Sequence, residues 1–261
     1  MKLASPGMSL TPDAFALTGR AALVTGAAQG IGAAIAGAFA NFGADVAICD
    51  RDAEGLARTA ATIQATGRVA RPAVLDVRDA DAVWEWVSSL DRVDVLVNNA
   101  GGGFAASFLD VNDKGQDALI RENFGSVTHF VRACVARMPD TGGSIINITS
   151  IEAHRAGPAF AVYSAMKAAV ASLTKSLALE LGVRQIRVNC IAPDVIPTPG
   201  IGDVPVKTPL PYAGHVDDIA AAAVYLGSDG SRFVTGVTLH VDGGNLAAGG
   251  WHRDADGGYT T

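Results

Sequence analysis

Short runs of mostly apolar residues alternate with longer amphipathic or alanine-rich segments along the chain. A short run that is apolar throughout, rather than at every second position, is typical of a strand buried on both faces of a parallel sheet. The runs predict seven strands, at Arg20–Thr25, Asp45–Cys49, Arg71–Leu75, Val93–Val97, Ser144–Ile148, Ile186–Ile191 and Val237–Val241.

The segments between these runs predict helices at Ile31–Phe42, Ala53–Ala65, Ala80–Ser89, Gln116–Met138, Ala161–Leu181 and Val216–Leu226. Strands that alternate with helices predict an α/β fold, a doubly wound Rossmann-type three-layer sandwich with a seven-stranded parallel sheet. We expect residues 1–261 to form one such domain. Within it we expect a frayed leader at 1–18, a proline-rich substrate loop at 194–214 and a glycine-rich tail at 245–261.

Composition narrows the class of protein. The net charge is −6 and the pI is about 5.3 with no basic cluster, which argues against a nucleic-acid partner. The mean hydropathy is +0.27, yet we find no apolar run of roughly 18 residues, so no membrane span is expected. Three scattered cysteines and the absence of a secretory signal predict a reduced, cytoplasmic protein. We predict no metal site.

A glycine-rich turn follows the first predicted strand and opens the first helix. Glycines in this context let backbone N–H groups approach a pyrophosphate at a helix N-terminus. The turn supplies the candidate cofactor residues Gly26, Gln29, Gly30, Ile31 and Gly32. An ordinary strand-to-helix turn is the alternative.

Asp50 ends the second predicted strand, 18 residues after Gly32. A carboxylate at this position accepts hydrogen bonds from a ribose diol and repels a 2′-phosphate, which favours NAD over NADP. Arg51 leaves NADP open, because its guanidinium is able to hold a 2′-phosphate.

Tyr163 and Lys167 lie four residues apart in a predicted helix and therefore share one face. An ammonium group beside a phenol lowers the phenol pKa and prepares it for general acid/base work. A chance pair on a solvated helix face is the alternative. Ser150, at a strand end 13 residues earlier, favours the catalytic interpretation.

Together these motifs resemble the short-chain dehydrogenase/reductase family over nearly the whole chain. The turn at 25–32 is similar to the family's cofactor turn, and Asp76 and Val77 resemble its adenine-pocket pair. The segment 98–101 matches the NNAG motif, 163–167 the YxxxK motif, 193–198 the nicotinamide segment and 241–244 the C-terminal VDGG motif. The resemblance adds the cofactor residues Asn99, Ala100, Gly101, Pro193, Ile196 and Thr198.

The resemblance implies oxidation of a secondary alcohol to a ketone with NAD, in a homotetramer. Tyr163 would exchange a proton with the substrate oxygen, and Ser150 would stabilise the charge on that oxygen. Lys167 would lower the Tyr163 pKa and bind ribose, while Asn123 would hold a water of a proton relay. The four-residue spacing of the Tyr163–Lys167 pair argues against the enoyl reductases of this fold, whose spacing is wider.

Asp194 departs from the family pattern, which has glycine there, and we leave open whether it faces substrate or solvent. The candidate pocket walls are Phe104, Ile151, Glu152, His154, Phe160, Asp194 and Val195. They are mostly apolar and suggest a hydrophobic, cyclic or steroid-like alcohol. An NADPH-dependent 3-oxoacyl-thioester reductase and a non-catalytic nucleotide-binding regulator are the alternatives.

Overall fold

A computed structural model describes residues 10–199, 201, 206, 208–253 and 258–260. Seven strands form one parallel sheet in the order β3-β2-β1-β4-β5-β6-β7. The strands are β1 Ala21–Thr25, β2 Asp45–Asp50, β3 Ala70–Val74, β4 Val95–Asn98, β5 Gly143–Ile148, β6 Ile186–Pro193 and β7 Thr238–Val241. The predicted α/β fold with its seven-stranded parallel sheet is therefore confirmed.

Helices cover both faces of the sheet and create two apolar layers. They are α1 Gly30–Asn41, α2 Ala53–Ala65, α3 Ala80–Ser88, α4 Asp113–Ile120, α5 Ser126–Val135, α6 Ala161–Glu180 and α7 Val216–Gly227. Phe39 of α1 is fully buried in one layer, and Phe130 of α5 is 1 % exposed in the other. The inner strands β1, β2 and β4 are buried over most of their length, and their sequences are mostly apolar, whereas the edge strand β3 is largely exposed.

The strand order reverses at β1, which pairs with β2 on one side and β4 on the other. In a doubly wound sheet a crevice opens at such a point, outside the carboxyl ends of the strands, and ligands bind there. The turns that follow β1, β2 and β4 therefore face a common space.

One predicted helix, Gln116–Met138, is interrupted. The structure has α4 and α5 joined by a π-helical turn at Arg121–Gly125. The Asn123 side chain donates from Nδ2 to the Leu119 carbonyl oxygen at 3.0 Å, a backbone acceptor of the preceding turn. Side-chain competition of this kind is one way in which a helix widens locally.

The described parts of the leader and the tail contain regular structure. Pro12–Phe15 forms a 3-10 turn and Leu17 is fully buried, so the described part of the leader packs on the domain instead of fraying. In the tail, α8 spans Asn245–Ala248, and β8 His252–Arg253 pairs antiparallel with β9 Tyr259–Thr260. Residues 1–9 of the leader and several positions of the loop and tail lie outside the described residues.

None of the helices that the structure describes is both long and apolar enough to cross a membrane.

Candidate active site

A large cavity of about 940 Å³ opens at the carboxyl ends of the central strands. Its wall brings together most of the predicted cofactor residues: Gly26, Gln29, Gly30, Ile31, Asp50, Arg51, Val77, Asn99, Ala100, Gly101, Tyr163, Lys167, Pro193, Ile196 and Thr198. Sequence reasoning missed Leu75, Glu122 and Arg155, which also line it. Gly32 and Asp76 do not line it.

The glycine-rich turn between β1 and α1 has a backbone that only glycine adopts readily. Gly26 and Gly30 have φ of +64° and +58°, in the left-handed region. A Cβ on Gly26 would lie 2.8 Å from the Ala100 Cα, and one on Gly32 would overlap the Gly26 carbonyl oxygen. The backbone of the turn therefore lines the cavity without side chains in the way. It does so at the start of α1, where the first N–H groups have no partner within the helix.

The segment after β4 fixes this turn through hydrogen bonds. The Thr25 hydroxyl oxygen accepts from the backbone N–H groups of Asn99 and Ala100 at 3.0 and 2.9 Å. The Asn99 side chain donates from Nδ2 to the carbonyl oxygens of Thr25 and Gly26 at 3.0 and 2.9 Å. Asn99 thus positions the turn, because its side-chain nitrogen donates to two carbonyl oxygens of it.

Asp50 holds a fixed carboxylate at the end of β2. Its Oδ2 accepts from the Ala28 N–H at 3.0 Å, and its Oδ1 accepts from the N–H groups of Arg51 and Asp52 at 2.7 and 3.1 Å. Arg51 extends along the same wall to Glu122, with 3.6 Å between Nη2 and Oε1. The turn and β2 thus present an anionic group beside a guanidinium that is itself paired.

Asp76 lies outside the cavity lining and pairs with Arg78. Its carboxylate accepts from Nε of Arg78 at 2.9 Å and from the Arg78 N–H at 2.9 Å. The Arg78 guanidinium holds the pKa of Asp76 down at about 2. Val77, the other member of the predicted pair, does line the cavity.

Ser150, Tyr163 and Lys167 meet at the opposite part of the cavity, where the end of β5 faces the first turns of α6. The Ser150 hydroxyl lies close enough to the Tyr163 hydroxyl to lower the pKa of that phenol. Lys167 is buried, donates from Nζ to the Ile148 carbonyl oxygen at 3.0 Å, and lies 5.5 Å from the centre of the Tyr163 ring. Burial lowers the Lys167 pKa to about 8.

The direction of the Tyr163 pKa contradicts our expectation. Burial raises it, the negative charge of Glu152 raises it further, and the Ser150 hydroxyl acts in the opposite direction. Lys167 does not reverse this effect, because its ammonium lies over the ring and donates to a backbone carbonyl. The protein's own groups therefore keep Tyr163 protonated at neutral pH.

Asn123 lies fully buried in the π-helical turn, facing the loop after β4. It donates from Nδ2 to the Gly102 carbonyl oxygen at 2.8 Å, and its Oδ1 accepts from the Gly102 N–H at 3.2 Å. A Cβ on Gly101 would lie 2.7 Å from Asn123 Oδ1 and 3.0 Å from Lys167 Nζ. Asn123 and Lys167 thus both approach Gly101 so closely that a larger residue would not fit there.

The predicted substrate residues are only partly brought together. Ile151, Glu152, Phe160, Asp194 and Val195 line the main cavity. Phe104 instead lines a separate crevice of about 10 Å³, next to Phe160 and Tyr163. His154 packs edge-to-face against His240 with 4.8 Å between the ring centres, outside the cavity lining. Arg155 had no sequence signal beyond its spacing of three residues from Glu152.

Comparisons with known proteins agree with this geometry. A family model described as Enoyl-(Acyl carrier protein) reductase matches residues 26–245. Gluconate 5-dehydrogenase of Gluconobacter oxydans is 38 % identical over 249 residues, 89 % of this chain and 97 % of that protein. A 3-oxoacyl-acyl-carrier-protein reductase FabG of Thermotoga maritima is 36 % identical, over 87 % of this chain and 98 % of that protein.

Solved structures of dehydrogenases are also similar to this chain. A 7α-hydroxysteroid dehydrogenase complexed with NADH and 7-oxoglycochenodeoxycholic acid superposes with a TM-score of 0.86 and 33 % identity. The match covers 90 % of this chain and 98 % of that one. Other similar structures contain NAD or NADP, which supports a nicotinamide cofactor for this chain. The chain is an oxidoreductase that belongs to the short-chain dehydrogenase/reductase family.

Proposed function

We propose that this protein catalyses the reversible, NAD(H)-dependent oxidation of a secondary alcohol to a ketone. The observation that carries the proposal is the cluster of Ser150, Tyr163 and Lys167 on the wall of the cavity that the glycine-rich turn also lines. An acid/base group within reach of a bound nicotinamide is what transfer of a hydride and a proton requires.

The cavity fits a dinucleotide. The open backbone of the turn, with Gly26 and Gly30, would hold the pyrophosphate, and Lys167 would bind the nicotinamide ribose. Pro193, Ile196 and Thr198 line the cavity after β6, where they would enclose the nicotinamide. Nicotinamide supplies the hydride chemistry when it is bound.

The protein's own groups handle the proton. In ketone reduction Tyr163 donates its phenolic proton to the substrate oxygen, and in alcohol oxidation the phenolate takes it back. Ser150 donates a hydrogen bond to the same oxygen and stabilises its developing charge. Since burial raises the Tyr163 pKa, alcohol oxidation is expected to accelerate as the pH rises, because more phenolate is then present. Asn123 positions the loop at Gly102 and, as the resemblance implies, a relay water.

Asp50 supports NAD as the cofactor. Its carboxylate is fixed by three backbone N–H groups and would accept hydrogen bonds from the ribose diol. The pairing of Arg51 with Glu122 lowers the positive charge available to a 2′-phosphate.

The substrate we propose is a secondary alcohol with apolar surface, packed against Ile151, Phe160 and Val195. The names of similar proteins span a sugar acid, a steroid and a 3-oxoacyl thioester. The alternative of a 3-oxoacyl-thioester reductase is favoured by the reductase relative and opposed by Asp50 and the net charge of −6.

Two further properties belong to the proposal. We expect a homotetramer, with the alanine-rich face of α6 allowing two helices to approach closely, and a cytoplasmic location. The exposed Trp251 of the tail is our candidate for an intersubunit contact or a contact at the substrate site. Truncation after Leu246, followed by light scattering and kinetics, tests the tail.

The experiment that tests the function is a fluorescence titration with NADH and NADPH, followed by a panel of alcohols with NAD and NADP. We expect tighter binding of NADH and oxidation of secondary alcohols. Preferred use of NADPH with 3-oxoacyl thioesters would support the alternative reductase. Cofactor binding without turnover of any compound would indicate a regulator.

A further inference from the structure

Three charged side chains line the cavity beside the catalytic groups: Glu152, Arg155 and Asp194. Glu152 and Arg155 lie in the loop that carries Ser150, and the Glu152 N–H donates to the Ser150 hydroxyl oxygen at 3.1 Å. Asp194 comes from the other side, directly after β6. The group therefore spans two loops that border the position of the reacting alcohol.

Arg155 and Asp194 are each held by a second residue. Arg155 donates from Nη2 and Nε to Glu152 Oε1 at 2.8 and 3.2 Å. Asp194 Oδ2 accepts from the Asn245 side chain at 2.7 Å, and Oδ1 accepts from the Val195 N–H at 2.7 Å. Both side chains are thus oriented before any substrate arrives, which is what a specific polar site needs.

The two oriented groups do not bond to each other. Arg155 Nη2 and Asp194 Oδ1 are 3.9 Å apart, beyond hydrogen-bond distance. Within the described part of the chain, Nη1 of Arg155 also has no hydrogen-bond partner. A donor and an acceptor at this separation are bridged by an oxygen that accepts from the first and donates to the second.

We infer that the gap between Arg155 and Asp194 binds a second hydroxyl group of the substrate, so that the preferred substrate is a neutral diol. This inference rests on the proposed function. A hydroxyl both donates and accepts, whereas a carboxylate only accepts and would be repelled by Asp194. Two carboxylates around one guanidinium leave this part of the cavity with a net negative charge, which disfavours an anionic substrate.

The same contacts explain why position 194 carries an aspartate. Glycine at this position would leave Arg155 with only Glu152 and would remove the acceptor. The Asp194 backbone also has no left-handed strain to explain its identity, since its φ is not among the positive values of the chain. The chemistry of its side chain, rather than the shape of its backbone, therefore accounts for the departure from the family pattern.

The test compares cyclohexanol with the cyclohexane 1,2-, 1,3- and 1,4-diols and with 2-hydroxycyclohexanecarboxylate, using NAD. We expect at least one diol to exceed cyclohexanol by about tenfold in kcat/KM, as one hydrogen bond to a charged group allows. That ratio should fall to near one in Arg155→Gln and Asp194→Ala. Asp194→Asn, which keeps the acceptor oxygen, should retain most of it.

Arg71→Gln is the matched control, because Arg71 is an exposed arginine that pairs loosely with Asp91 and does not line the cavity. Its ratio should equal that of the unaltered protein. Equal rates for cyclohexanol and every diol, or a ratio that Arg155→Gln leaves unchanged, would overturn the inference. Preference for the carboxylate would overturn it as well.

Calorimetric binding of the same compounds to the NADH complex separates this inference from the proposed function. Binding of a diol that depends on Arg155, without any turnover, would refute the function and support the hydroxyl site. Turnover of monoalcohols without any preference for diols would support the function and refute the site.

Discussion

Replacing Lys167 by methionine should abolish activity and stabilise the fold. Lys167 is 5 % exposed, and burial lowers its pKa from the ordinary value of 10.5 to about 8. At neutral pH the folded protein therefore holds a charge that is more stable in the unfolded chain. The difference corresponds to about 3 kcal/mol.

Methionine is close in volume and carries no charge, so the burial penalty disappears in Lys167→Met. The variant also loses the hydrogen bond from Nζ to the Ile148 carbonyl oxygen, at a cost of about 1 kcal/mol. The net gain is about 2 kcal/mol, or a rise in Tm of about 4–8 °C for a chain of this size. Urea unfolding followed by circular dichroism, at one fixed protein concentration, measures it.

The pH dependence gives the sharper check. The unfolded chain binds more protons at this lysine than the folded chain between pH 8 and 10.5, so the unaltered protein gains stability there as the pH rises. Lys167→Met has no such group and gains no stability over this range. The difference in unfolding free energy that favours the variant at pH 7 should therefore nearly vanish by pH 10. Lys175→Met, which removes an exposed lysine of the same helix, should show neither effect. A variant that is less stable than the unaltered protein at pH 7, by an amount independent of pH, would refute this reasoning.

Three further changes test the site. Tyr163→Phe should lower kcat by about 10²–10⁴-fold while NADH binding persists, because only the proton donor is lost; stopped-flow fluorescence and steady-state rates measure both. Asp50→Asn should weaken discrimination against NADPH by about tenfold, since the charge that repels a 2′-phosphate is removed; the ratio of the two kcat/KM values reports it. Gly101→Ala should reduce kcat severely, because its Cβ would lie 2.7 Å from Asn123 Oδ1; an unchanged rate in a folded variant contradicts this.

The secondary-structure elements that can be predicted from the sequence are those whose burial leaves a clear apolar pattern. Strands such as β1 and β4 are buried on both faces, so their sequences are apolar up to a polar last residue and easy to recognise. The π-helical turn at Arg121–Gly125 has no such pattern, because it depends on one amide, Asn123, bonding to Leu119 and Gly102. Apolar periodicity through the region continues without a break and predicts a single helix.

Two features of the site depend on ion pairs that sequence periodicity does not reveal. The Asp76 carboxylate, after β3, accepts hydrogen bonds from Arg78, two residues later. Arg155 was missed because its partners lie on different loops: Glu152 is three residues away and Asp194 thirty-nine. Neither contact follows from helix or strand periodicity, which relates residues only within one regular element.

The parts of the cavity differ in what fixes them, and this determines where specificity resides. The glycine-rich turn is held by Thr25 and Asn99 through contacts between β1 and β4, two neighbouring strands of the central sheet. The Arg155–Asp194 gap is held by three separate segments, the loop after β5, the loop after β6 and Asn245 of the tail. A substitution at Arg155, Asp194 or Asn245 alters the gap without removing a hydrogen bond that holds the glycine-rich turn. The cofactor half of the site is thus tied to the fold, and the substrate half is free to vary with the loops.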